Sequence, residues 1–200
     1  KFDRMWATDA FATGKWATDY VAGTDFTAWD DLASDPQKDV DIAQEKILMN
    51  TGKMPDTLTV GFKVFKALKR HPVIKDTYKY TSAESVTEEM IARVLDVGRL
   101  VVAKASYATN VEGGTKAYDF IVGNHALLTW SEGGPGVMEP CAGATFAWTD
   151  LNGMNNAGIA IDQYYDQQTK DDIVRGQFAF DPKITGSDLG AFFSAAVTTG

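Results

Sequence analysis

Two hundred residues make one large domain or two small ones, and a chain of that length buries enough surface to fold without a disulfide or a metal. Its composition is 44% hydrophobic, 12% aromatic and 23% charged, which excludes wholesale disorder, collagen and coiled coil. Nineteen basic against 27 acidic residues leave a net charge of −8, so the chain has no general electrostatic hold on nucleic-acid phosphate or an anionic membrane.

The opening KFDRMW lacks both an initiator Met and the apolar stretch of a signal peptide, so the expectation is a processed chain or a fragment with sequence upstream. Residues 1–33 scatter Phe2, Trp6, Phe11, Trp16, Tyr20, Phe26 and Trp29 among Ala, Thr, Asp and Gly. Two readings stand for these rings. Either they pack on the body of the same subunit as a loop or hairpin, or they pack on a neighbouring chain, where aromatics are enriched.

The clearest helix is predicted over about 36–50. Ser34 or Asp35 caps it, Pro36 suits its first position, Val40, Ala43, Ile47 and Leu48 make one apolar face, and Gly52 ends it. Thr57–Val60 reads as a short strand. A helix over about 62–70 turns Val64, Phe65 and Leu68 inward and stops at Pro72. It also carries the basic cluster Lys63, Lys66, Lys69 and Arg70. Ser85 and Glu88 fit a capping box opening a third helix, about 86–95, that buries Met90, Ile91, Val94 and Leu95. Leu100–Ala103, Phe120–Val122 and Ala126–Trp130 are strand candidates. Beyond the Gly133–Gly136 run the helical signal fades. Residues 144–148, 159–161 and 173–180 alternate as strands do, with a polar hairpin tip at 166–171. Leu189, Phe192, Phe193 and Ala196 have helical spacing, which predicts a short helix or a packed terminal segment. Helices come early and strands late, so the fold class is α+β.

Marks of chemistry are few. Neither G-x-x-x-x-G-K-[ST] nor G-x-G-x-x-G occurs. Two distant histidines and the single Cys141 fall short of the four ligands of a structural zinc site. Asp150–Gly153 reads as a turn, since its glycine comes too early for a calcium loop. The carboxylate pairs Asp30/Asp31, Glu88/Glu89 and Asp171/Asp172 are sequence neighbours, which point apart on a helix or strand. No G-x-S-x-G elbow, N-x-[ST] sequon or membrane-spanning apolar run occurs. His71 stands at a helix end and His125 beside an apolar strand, where a structural role is the simpler reading.

The order of motifs resembles the major capsid proteins of tailed bacteriophages. Phe11-Ala-Thr-Gly14-Lys15-Trp16 looks like their F-x-x-G-x-W segment. Phe26–Trp29 followed by Ser34-Asp35-Pro36 resembles the loop into their long helix. Thr51–Leu58 is similar to their t-G-x-x-P-n-t-l turn, and Leu68-Lys69-Arg70-His71-Pro72 to L-x-x-H-P. Asp172–Gly176 and Asp181–Ile184 resemble their late strand pair.

The resemblance implies the capsid fold shared by tailed phages, encapsulins and the floor domains of herpesvirus shells. Residues 1–35 would be an extended loop region and 36–56 the spine helix of a peripheral domain. Residues 57–157 would form a mixed-sheet axial domain, 158–186 a long peripheral β-hairpin, and 187–200 a terminal segment returning to the axial domain. Relatives of this kind carry an N-terminal arm and more chain before the spine helix, and here the sequence departs from them. The implied function is a shell subunit without catalysis or cofactor. It would form hexamers and pentamers around double-stranded DNA in the virion, with scaffold, portal and cement proteins as further partners. No membrane or specific nucleic-acid binding is implied, and Phe11, Trp16 and Trp29 are the candidate inter-subunit contacts. One alternative is a hydrolase or transferase using His71 or His125, which needs a Ser, Thr or Cys within ~2.6–3.2 Å of a ring nitrogen. Another is a sugar-binding platform made of Trp6, Trp16 and Trp29.

Overall fold

The computed structural model describes residues 7–78, 87–131, 139–148 and 159–198. Trp6, Ser85, the Gly133–Gly136 run and the Asp150–Gly153 turn lie outside the described residues. The chain divides into two compact units, residues 1–142 with 186–200, and residues 143–185.

A five-stranded mixed sheet organises the first unit. Its strands are β1 (Thr18–Val21), β2 (Thr57–Gly61), β3 (Arg99–Ala103), β6 (Ala126–Thr129) and β11 (Gly190–Ser194), in the order β1-β11-β6-β2-β3. The two outer pairs, β1 with β11 and β2 with β3, are parallel, while β6 runs antiparallel to both of its neighbours. A parallel pair needs a crossover. Three helices supply the one between β2 and β3: α2 (Phe62–Arg70), α3 (Pro72–Tyr78) and α4 (Glu88–Val94).

β11 corrects the helical option for the terminal stretch. Ala191, Phe192 and Phe193 are consecutive and each at most 1% exposed, so both faces of this strand are covered. Continuous apolar runs are what a doubly covered strand shows, and a short one cannot be told from a helix by periodicity. The opening stretch, expected as a loop or hairpin, contributes β1 to the sheet edge.

The long helix α1 (Pro36–Thr51) forms where its caps predict. Asp35 accepts from the Lys38 N–H at 3.2 Å, and Gly52 takes a left-handed φ of 69°. Its buried face differs at one position. Leu48 is 44% exposed, and Gln44 is buried instead, donating to the Asp96 carbonyl at 3.0 Å. Pro72 does more than stop α2. His71 adopts an extended conformation, and Pro72 then opens α3, a helix the sequence reading lacks. α4 is capped by Thr87, whose hydroxyl accepts from the Met90 N–H at 3.4 Å. A small hairpin, β4 (Ser106–Ala108) with β5 (Tyr118–Phe120), ends earlier than the expected 120–122 strand. Gly123 turns the chain there at φ 61°, and its carbonyl sits where a Cβ on Gly61 would stand, 2.0 Å away.

The second unit is built from two strand pairs. β7 (Gly143–Ala147) pairs antiparallel with β10 (Phe180–Ile184), and β8 (Ile159–Asp166) with β9 (Asp171–Phe178). These are the alternating runs read from the sequence, with the turn where the polar tip was expected.

Candidate functional site

The aromatic residues of the opening stretch come first. Trp29 is 0% exposed. Its indole N–H donates to Asp39 Oδ2 at 2.9 Å, and its ring lies 5.2 Å from Phe193 and 5.9 Å from Phe26. Tyr20 stacks on Phe193 at 5.1 Å. Burial pushes the Asp39 carboxyl above its ordinary value, against the lowering effect of the Trp29 hydrogen bond. Trp16 is buried as well. Its N–H donates to the Ala10 carbonyl at 2.7 Å, and its ring fills the place of a Cβ on Gly190. Phe11 meets Phe192 edge-on at 6.3 Å and stays half-exposed. For Trp16 and Trp29, then, the rings pack on their own chain, because each completes a core contact. Neither offers the exposed face that a sugar-stacking platform requires.

His71 comes near to the catalytic alternative. Ser34 Oγ lies 3.2 Å from its Nε2, and both groups are buried. The hydrogen-bond directions do not suit catalysis. The Ser34 hydroxyl donates to the Asp31 carbonyl at 2.7 Å, which leaves Oγ to accept from Nε2. Nε2 also lies 3.3 Å from that carbonyl, so it carries the proton and cannot act as base. Nδ1 is buried without a partner, so no carboxylate orients the ring. The cluster is a knot that ties residues 31–34 to the turn between α2 and α3.

His125 is held by packing and by one backbone contact. Its Nδ1 accepts from the Ala195 N–H at 3.1 Å, where Ala195 turns at φ 52°. The ring lies 5.3 Å from Phe192, and burial pushes its pKa below the ordinary histidine value. The buried Cys141 lies in no metal cluster: among the described residues, no three His, Cys, Asp or Glu side chains are grouped to hold an ion. No described helix is long and apolar enough to cross a membrane.

What the sequence reading missed is a surface. The β8–β9 register places Ile159 opposite Phe178, Ile161 opposite Gly176, Gln163 opposite Val174 and Tyr165 opposite Asp172, all on one face of the ribbon. On that face Ile161 is 75% exposed, Phe178 67%, Val174 66%, Tyr165 57% and Ile159 46%. The other face mixes Ala160, Tyr164 and Ile173 with Asp162, Asp166, Asp171, Arg175 and Gln177, and there Arg175 and Asp162 pair at 2.8 Å while the Arg175 guanidinium lies 5.9 Å over the Tyr164 ring. The alternation of both strands was the available signal. It separates two faces without saying which is covered.

The sequence profile of phage major capsid protein E matches residues 13–172. The chain belongs to this family. The major capsid protein of Burkholderia phage BcepMu is 26% identical to it over 174 residues, 84% of this chain and 52% of that protein. Among solved structures, a phage-related protein from Bordetella bronchiseptica is 27% identical, with a TM-score of 0.82 over 97% of this chain and 62% of that one. The putative capsid protein of an Escherichia coli prophage has a TM-score of 0.51 at 13% identity, covering 88% of this chain and 51% of its own. That likeness is one of fold. Measured against the BcepMu protein and the Bordetella structure, the chain spans between half and two thirds of their length. As a member of the phage major capsid protein E family it is α+β with the phage capsid fold.

Proposed function

We propose that this chain is a structural subunit of a phage shell. It associates with copies of itself into hexamers and pentamers, and these enclose the double-stranded genome in the virion. The observation that carries the reading is the exposed apolar face of the β8–β9 ribbon. A two-stranded ribbon is marginal in water by itself, and contiguous exposed apolar side chains mark interaction surfaces. Family membership supplies the kind of partner, another capsid subunit. Residues 36–56 act as the spine and 158–186 as the hairpin of a peripheral domain, 57–157 with 187–200 as the axial domain, and 1–35 as an extended loop region. Within that region Phe11 is the candidate contact ring with surface left to meet a neighbour. Trp16 and Trp29 support such a contact from beneath. Scaffold, portal and cement proteins complete the partner set. The net charge of −8 suits a shell wall that encloses DNA without gripping it.

Sedimentation and electron microscopy of the purified chain test this. The wild type is expected to form rings or particles, and Ile161→Asp with Phe178→Asp to stay dissociated while keeping the wild-type melting temperature. A wild type that remains monomeric at millimolar concentration would sink the reading.

A further inference from the structure

Association through the ribbon leaves a second feature unused. α2 carries Lys63, Lys66 and Arg70 along one side, at spacings of three and four residues. With Trp29, Leu32 and His71 they line a hollow of about 350 Å³. None of the three cations belongs to an ion pair: those among the described residues join Lys15 to Asp9, Lys104 to Glu88, Arg175 to Asp162 and Lys183 to Asp181. Lys66 rests 4.9 Å over the Phe62 ring instead. The one acid in the lining, Asp30, is already occupied, because the Thr198 N–H donates to both its oxygens at 3.2 Å and the Thr198 hydroxyl also donates to it. His71, in the wall, is 2% exposed with Nδ1 unpartnered. A chain of net charge −8 thus gathers unpaired cations around one hollow.

The ribbon tip shows the opposite imbalance. Asp166 and Asp171 sit directly opposite each other at the end of the β8–β9 ladder, and Asp172 follows on the other face beside Tyr165. Like charges directly across a strand pair repel. Lys170 stands in the turn at φ 58° and pairs with neither carboxylate.

We propose that the α2 hollow binds the ribbon-tip carboxylates of a second copy of this chain. The inference rests on the self-association reading and names a partner surface for it. Charge complementarity argues for this occupant. So does the apolar part of the lining. Leu32 is 76% exposed at the hollow, and Tyr165 is 57% exposed at the tip. A nucleic-acid backbone presents phosphate and sugar and has no counterpart for Leu32. A tip of one kind entering a hollow of another kind is a head-to-tail contact, which repeats from copy to copy and closes into rings when its rotation allows.

Charge exchange between two variants tests it. Variant one carries Lys66→Glu and Arg70→Glu, and variant two carries Asp171→Lys and Asp172→Lys, all at exposed positions. Each alone is expected to self-associate roughly a hundredfold more weakly than wild type, since like charges are forced together. Mixed in equal amounts they are expected to associate with each other, because each then meets its complement. Matching circular dichroism and melting temperatures establish that both fold. If wild type associates and either variant does so equally well, or if the mixture stays apart, the tip-to-hollow contact is wrong while shell assembly stands. A monomeric wild type overturns both. If variant one associates normally but loses retention of a duplex oligonucleotide, the hollow is a phosphate site and the carboxylate assignment is overturned.

Discussion

Phe193 on β11 and Phe178 on β9 are the same residue type on the same kind of element, yet one is 0% and the other 67% exposed. β11 lies between two hydrogen-bonded strands in a five-stranded sheet, with Tyr20, Phe26 and Trp29 packed over Phe193. Among the described strands β9 pairs with β8 alone, and Phe178 stays largely exposed although its ring lies 5.4 Å from that of Phe180. The difference lies in the number of neighbours, not in the residues. In the sheet unit an apolar strand is part of the core of a single chain. In the ribbon unit the same pattern lies at the surface, with Phe178 67% and Val174 66% exposed, and on the proposed reading a neighbouring copy covers it.

Paired substitutions can break this comparison. Phe193→Ala empties a packed site and is expected to cost about 3–5 kcal/mol by denaturant unfolding, whereas Phe178→Ala is expected to stay within about 0.5 kcal/mol and to weaken association instead. Equal losses of stability would mean that the ribbon face is covered within its own chain. Gly190→Ala sharpens the sheet side. A Cβ there would come within 2.3 Å of a Trp16 ring atom, so the same measurement should show a loss of about 1–3 kcal/mol. The smallest effect concerns pH. Burial lowers the His125 pKa in the folded chain below its ordinary value of 6.5. The unfolded chain therefore takes up this proton first. The stability His125 contributes is complete above that value and is lost as the pH falls below it. His125→Asn keeps an acceptor for the Ala195 N–H without titrating. It should flatten the melting temperature between about pH 7 and 5 relative to wild type.

The sequence discloses features that are decided locally. Asp35-Pro36 and Gly52 mark the ends of α1 because capping is a matter of a few adjacent backbone groups. The alternating strands of the ribbon and its polar tip are legible for the same reason. Features that depend on distant partners are not. Whether Ala191–Phe193 is helix or strand depends on β1 and β6, which lie far away in the chain. The exchange of Leu48 for Gln44 on the buried face of α1 depends on the Asp96 carbonyl, and the Ser34–His71 contact spans 37 positions. Pro72 was legible as an end of α2. That it also begins α3 follows from the extended conformation of His71. The candidate surface was the least legible part, since a periodicity of two is identical for a strand with one face in the core and one with that face open.

β11 holds the middle of the sheet's β1 side, yet it is the last of the five strands to leave the ribosome. Until it emerges, β1 has no strand to pair with, and Trp29 lacks both the Phe193 ring and, two residues further on, the Ala196 carbonyl that accepts from its backbone N–H at 2.7 Å. A chain that ends before this strand therefore leaves β6 with an open edge and Trp29 without its Phe193 contact.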